Sequence, residues 1–127
     1  MKKIAEVHTN HSELVSDINF LTREIMFLLR LLRNAYSTSV QNEEIKMLDA
    51  YWKQFEKYKG NLGDLLEKIH SEEIRLKTSF INDGTILFNE NERFQLNYQT
   101  LYKEIRLVKE SFYDFIINSG KCNKCLL

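Results

Sequence analysis

The feature that most constrains the fold is an apolar repeat in alternating steps of three and four residues. Three segments carry it, within residues 4–35, 45–80 and 94–115. Such a repeat places its members along one stripe of an α-helix, as in coiled coils. The chain also has no proline and only four glycines, so little in it would break a helix. We therefore predict an all-α fold.

Turn-forming residues between the repeats give the expected ends of the helices. The run Ser37-Thr38-Ser39 ends the first helix, Asn42 caps the second, and Asn82-Asp83-Gly84 closes it. Asn89 with Glu92 matches a capping box that opens the third helix, which Ser119-Gly120 ends. Because both connections are short, successive helices are expected to be antiparallel neighbours.

The predicted architecture is a single domain over residues 1–120, an antiparallel bundle of three long helices with heptad-type packing. The helices are expected at about 3–36, 43–82 and 90–118, followed by a flexible tail at 121–127. The alternative is a four-helix up-down bundle, if the second helix breaks at Gly60-Gly63. The heptad phase passes through both glycines with Leu62 in register, which favours one helix. The glycines would then mark a close approach by another helix or a mild kink.

The first helix carries more apolar residues than one seam uses. Phe20, Phe27 and Leu31 form a second stripe, with Met26 beside it. Between residues 18 and 32 the helix is apolar nearly all round, which is the pattern of a helix buried on several sides. We predict that this surface is an oligomer interface, with a homodimer favoured. Another helical protein as the partner, or the third helix wrapping this side, are the alternatives.

Charge and hydropathy bear on the partners. The chain has 18 basic and 18 acidic residues, so it lacks the basic surplus expected of a nucleic-acid or anionic-membrane binder. Its most apolar run, residues 25–29, falls far short of the ~20 residues that span a membrane. The N-terminus lacks the apolar segment of a signal peptide. We expect a cytoplasmic protein with no nucleic-acid and no membrane partner.

Histidine and glutamate side chains form a candidate layer. Glu67, His70 and Glu73 follow one another at a spacing of three, which places them along one side of the second helix. A hairpin turn near Ser39 brings His70 to the level of His8, within about one helical turn of the third histidine of the chain, at position 11. The third helix would add Glu104 at the same level.

Two main interpretations of this layer compete. Imidazole and carboxylate groups on facing helices are ligand types for zinc or iron, which gives a metal site of His8, His11, Glu67, His70 and Glu73. Glu67-x-x-His70 also matches the element of di-iron bundles, although those bundles use two such elements and this chain has one. We favour the other interpretation, in which His11 and Glu73 are polar seam residues that fix the helix register. The side chains of His8, Glu67 and His70 then lie on the solvated rim. A pH-sensitive layer is a third interpretation.

The C-terminal segment contains Cys122-x-x-Cys125, which is half of a zinc site or a redox pair. Two tails in a dimer would supply four thiolates to one zinc. The simpler interpretation is a pair of reduced thiols in a flexible tail. The sequence contains no phosphate-binding loop and no nucleophile elbow, so we predict that the protein is not an enzyme.

Four short segments stand out by their residue types: Phe20 to Glu24, Trp52-Lys53-Gln54-Phe55, the run from Leu65 to His70, and Phe112-x-x-Phe115. In these segments the chain resembles a group of small long-helix bundle proteins of Bacteroidetes without an assigned activity. The resemblance implies a helical bundle and transfers no functional residues. From the residues themselves we predict a non-enzymatic helical bundle that self-associates and acts as a binding or scaffolding module. The alternative is a metal-binding bundle with a His/Glu layer holding zinc or iron.

Overall fold

The computed structural model describes residues 4–39, 41–82 and 88–119, which form three α-helices. They are α1 (Ile4–Thr38), α2 (Asn42–Asn82) and α3 (Phe88–Ser119). All three pack against one another, and the predicted three-helix bundle is confirmed. Within these residues, no helix combines the length and the apolar character needed to cross a membrane.

Contacts between side chains give the direction of each helix. At the α1–α2 turn, the Tyr36 hydroxyl donates to Asp49 at 2.5 Å. Burial and this bond to Asp49 raise the pKa of Tyr36 to about 12, so the phenol stays protonated as the donor. At the far end of the same helix pair, His11 meets Glu73, 62 positions along the chain. Helix α2 is therefore antiparallel to α1. Phe94 of α3 contacts His11 and Lys109 of α3 pairs with Glu24, so α3 runs parallel to α1.

Local hydrogen bonds explain where α1 ends and α2 begins. Ser39 donates through its side chain to the carbonyl of Ala35 at 2.8 Å and through its backbone to that of Tyr36. Such bonds satisfy carbonyls that have no partner within the helix. The amide of Ile45 donates to the carbonyl of Gln41, so Gln41 is the N-cap and Asn42 is the first helical residue. The predicted cap was wrong by one residue.

The third helix begins earlier than its sequence signals indicate. It starts at Phe88, so Asn89 lies inside the helix rather than capping it. Three residues of the predicted helix stops, Asp83, Gly84 and Gly120, lie outside the described residues.

The core lies between the three helices, and α2 contributes to it with a broader surface than its main repeat. Residues at the centre of that surface are fully buried, namely Leu48, Phe55, Leu62 and Ile69. One flank faces α3 and is also buried: Tyr51, Tyr58, Leu65 and Glu72. The other flank faces α1 and stays partly exposed, which includes Trp52 and Glu73. The apolar repeat in the sequence predicted the flank that faces α1 and missed the flank that faces α3.

Helix α2 runs through Gly60 and Gly63 without a break, so the four-helix alternative is wrong. A methyl group added at either glycine would meet no atom within 4 Å among the described residues. The expected close approach of another helix at these positions is therefore also wrong. Both glycines lie on the exposed side of α2, where they add backbone freedom to the unfolded chain without a packing benefit in this structure.

Gly60→Ala and Gly63→Ala are each expected to raise the free energy of unfolding by about 0.5–1 kcal/mol, because alanine has the higher helix propensity. Chemical denaturation at fixed protein concentration measures the change. Ala50→Gly, at an exposed position of the same helix, is the matched control and should lower stability by a similar amount. A loss of stability in both alanine variants would show that the glycines serve a contact or a bend.

Candidate functional site

Two histidines of α1 converge on one carboxylate of α2. Nδ1 of His8 lies 3.0 Å from Oε2 of Glu73, and Nδ1 of His11 lies 2.5 Å from Oε1 of the same side chain. A carboxylate oxygen only accepts hydrogen bonds, so both Nδ1 atoms carry the donated proton. We call these three residues the His–Glu layer.

His11 is the buried member of the layer. It is 1% exposed, and its ring packs against Phe94 of α3 with 5.8 Å between ring centres. Its second ring nitrogen, Nε2, is buried and has no hydrogen-bond partner among the described residues. A buried polar atom without a partner costs free energy, so the single bond to Glu73 is what offsets the burial of this imidazole.

Glu73 is held in its charged form. Its partial burial raises the pKa, but the hydrogen bonds and charges of His8 and His11 outweigh this effect and leave the pKa of Glu73 below its ordinary value of 4.5. Both carboxylate oxygens are engaged at once. The layer therefore links α1 to α2 through two charge-assisted hydrogen bonds, which are stronger than neutral ones.

Two predicted members of the layer lie elsewhere. His70 is exposed, and Glu67 lines a groove between α2 and α3. Successive helical residues turn by about 100°, so six positions separate Glu67 from Glu73 by roughly 120° around the helix. The spacing of three therefore does not place all three side chains on one face.

The helix levels also differ from those expected. The α1–α2 turn is centred beyond Ser39, because α1 continues to Thr38 and α2 starts at Asn42. This shift moves Glu73 to the place expected for His70. On α3, Glu104 lies beside Tyr58, where burial and then the charge of Glu104 raise the tyrosine pKa. Phe94 takes the position at the histidines that was assigned to Glu104.

The chemistry of the layer favours a structural role. Its three side chains bond to one another rather than pointing toward one common ligand. Among the described residues, no group of three or more His, Cys, Asp or Glu side chains could hold a metal ion. The metal-binding alternative stays a prediction. Cys122 and Cys125 of the tail lie outside the described residues.

A groove between α2 and α3 carries mostly charged side chains, and the sequence did not point to it. It encloses about 590 Å³ and includes Glu67, Lys68 and Arg93. Glu72 also lines the groove, is buried, and accepts hydrogen bonds from Arg75, one turn further along α2, with Nε at 2.9 Å. This pair keeps a buried carboxylate neutralised within one helix.

The predicted interface residues of α1 do not share one surface: some are exposed and one is buried in the core. Phe20 is 70% exposed and Phe27 is 43% exposed. Leu31 is only 4% exposed and belongs to the core, so the exposed surface does not include this member of the predicted stripe. Met26 is exposed too, but it lies in a groove between α1 and α2 beside Trp52.

Phe20 lies at a groove on the other side of α1, between α1 and α3. This groove also contains Tyr102, which is exposed, and the ion pair between Lys109 and Glu24. Phe27 follows Phe20 after two helical turns, hence on the same side of α1. We call Phe20 and Phe27 the aromatic edge.

Further large apolar side chains are exposed outside the aromatic edge. They include Met47 and Ile74 on α2 and Leu96, Leu107 and Ile117 on α3. Scattered single residues of this kind are normal on protein surfaces. Among the side chains that the structure describes, only the aromatic edge places two exposed phenylalanines on one side of one helix.

Comparison with protein-family models, with curated proteins and with solved structures found no match to this chain.

Proposed function

We propose that this protein is a non-enzymatic helical bundle that self-associates through the aromatic edge of α1 and acts as a binding or scaffolding module. The observation that carries the proposal is the exposure of Phe20 and Phe27 on one side of a helix whose opposite side is fully buried. An apolar surface of this kind, bordered by polar groups, is typical of a protein interaction site.

Burial of the aromatic edge would supply a useful driving force. Full burial of one phenylalanine side chain is worth about 1.5–3 kcal/mol, and a symmetric pair of chains would bury four such rings, in part. Aromatic residues are also enriched at the centres of protein interfaces, where they carry much of the binding energy. Since Phe20 is the more exposed of the two, it has the most surface to bury.

Charged residues surround the aromatic edge and suit it to specific association. Lys109 of α3 pairs with Glu24 of α1, and Arg106 pairs with Glu110 at 3.2 Å one turn along α3. Such pairs at the rim disfavour unspecific stacking of the apolar surface, because a badly aligned partner would leave charges buried and unpaired.

Phe27→Glu is expected to convert the associated protein to a monomer at tens of micromolar, because it puts a charge into the proposed apolar contact. Light scattering coupled to size-exclusion chromatography measures the mass. Phe20→Glu, at the more exposed position, should act in the same way with a smaller cost to the fold. Ile74→Glu on α2, 67% exposed, is the matched control and should leave the mass unchanged.

Two results would contradict the proposal. A wild-type mass of one chain at tens of micromolar would exclude self-association at such concentrations. An associated mass in both Phe20→Glu and Phe27→Glu, with helical content unchanged by circular dichroism, would place the interface on another surface.

A further inference from the structure

The groove between α1 and α2 that contains Met26 has a surplus of positive charge. It encloses about 390 Å³, and none of the residues that line it belongs to α3. Its apolar part consists of Met26, Leu29 and Trp52. Its charged residues are three bases and one acid, namely Arg30, Arg33, Lys59 and Glu56. We call this groove the basic groove.

The charges of the basic groove are neither balanced nor paired. Arg30, Arg33 and Lys59 are exposed, and none of them forms an ion pair with another described residue. In contrast, the groove between α1 and α3 has two acids and two bases, which are joined in two ion pairs. The groove between α2 and α3 has three residues of each sign. Charge complementarity therefore indicates a negatively charged partner for the basic groove in particular.

The walls and the apolar surface of the basic groove suit a helical partner. Both walls are helices, and a further helix between them would extend the bundle by the same packing of ridges into grooves. Met26 is exposed and Trp52 is partly exposed, so both side chains offer apolar surface to such a helix. Amphipathic helices bind to grooves of this kind through apolar side chains on one face.

The basic residues lie toward both ends of this apolar surface. The hydrogen bonds between α1 and α2 described above set Lys59 at about the level of Met26. Arg33 follows Met26 by seven positions, which is roughly 10 Å along the helix axis. Two positive charges about two helical turns apart therefore flank the apolar centre of the groove.

We infer that the basic groove binds an acidic amphipathic helix of another protein. Apolar side chains of that helix contact Met26 and Trp52. Its carboxylates, two turns apart, contact Arg33 and Lys59. This inference rests on the binding role proposed above and does not depend on self-association. It goes beyond that role by naming a second surface and the class of its partner.

Two other occupants fit the basic groove less well. The C-terminal segment 120–127 contains Lys121 and Lys124 and no acidic side chain, so its charges would repel those of the groove. A second copy of this chain would have to bring a different, acidic surface to the groove. Contacts between unlike surfaces build rings or open filaments rather than the dimer favoured here.

Trp52 fluorescence tests the inference, because Trp52 is the only tryptophan of the chain and lines the groove. The probe is a synthetic helical peptide with leucines on one face and two glutamates two turns apart beside them. One control peptide has lysine in place of both glutamates, and another has serine in place of the leucines. The acidic leucine peptide should change the emission saturably, with a Kd below about 1 mM that rises with salt. Neither control peptide should do so.

Arg33→Glu and Lys59→Glu are each expected to weaken this binding by about tenfold, because each sets a negative charge against a carboxylate of the peptide. Lys103→Glu, exposed on α3, makes the same change in net charge and is the matched control, which should leave binding unchanged. Phe20→Glu lies outside the basic groove and should also leave it unchanged.

Several outcomes would overturn the inference. They are no saturable binding of the acidic leucine peptide, equal binding of either control peptide, and an equal loss of binding in Lys103→Glu. A monomer mass of Arg33→Glu, where the wild type is associated, would assign the groove to a second copy and overturn it as well. A monomeric wild type that binds the acidic leucine peptide, and loses it in Arg33→Glu, would contradict self-association and support this inference.

Discussion

Phe112→Ala is expected to lower the free energy of unfolding by about 3–5 kcal/mol. Phe112 is fully buried, and its ring lies 5.3 Å from that of Tyr51 and 5.5 Å from that of Phe55, between ring centres. Truncation removes both contacts and leaves a cavity where α2 and α3 meet. Total stability of a domain is about 5–15 kcal/mol, so this loss would be a large share of it.

Urea denaturation followed by circular dichroism, at one fixed protein concentration, measures this loss. Phe112→Leu keeps most of the volume and should cost less than half as much. Leu107→Ala, at an exposed position of the same helix, is the control and should stay within about 0.5 kcal/mol of the wild type. A change of less than about 1 kcal/mol for Phe112→Ala would mean that this part of the core is not packed as described.

Glu73→Ala is expected to lower the free energy of unfolding by about 2–3 kcal/mol at pH 7, although the side chain is partly exposed. The cost comes from His11, whose buried imidazole would lose its only hydrogen bond among the described residues. His11→Leu removes the buried polar ring itself and should therefore cost less than Glu73→Ala. Glu67→Gln, away from both histidines, is the control and should change little.

Glu73→Gln tests the charge of the carboxylate through pH. Because the folded-state pKa of Glu73 is lowered, its ionised form contributes stability above about pH 4.5. That contribution is lost as the pH falls through the folded-state pKa. The stability difference between wild type and Glu73→Gln should therefore be full at pH 7 and shrink below pH 4.5. A difference that stays constant down to about pH 3 would show that the charge is not stabilised by the histidines.

The His–Glu layer shows what residue spacing along one helix can predict and what it cannot. The sequence placed His8, His11 and Glu73 at neighbouring levels, and the structure joins them. It also grouped them with Glu67 and His70 as candidate metal ligands. Both side chains are exposed, as each step of three residues turns the side chain by a further 60° or so around the helix. The bonds of Glu73 also depend on the position of the connection between α1 and α2. That position shifts α2 along α1 by about one helical turn, and the residue types in the connection did not reveal the shift.

The exposure of the predicted interface residues could likewise be predicted only in part. Apolar composition around α1 indicated a surplus surface, and Phe20 and Phe27 are indeed exposed. Leu31 follows Phe27 by four residues and shares its stripe by helical geometry, yet it is buried. The burial of Leu31 depends on how the other helices pack against α1, which spacing within α1 does not show.

Residue spacing was enough to predict three helices and the stripe of each that faces inward. This follows because apolar spacing and the absence of proline act within a single helix, through backbone geometry that every helix shares. Spacing did not reveal that α2 buries Tyr51 and Tyr58 beside its central stripe, or that Glu73 rather than His70 meets the histidines of α1. Those outcomes depend on the rotation and the level of each helix against its neighbours, which are set by packing between segments far apart in the chain.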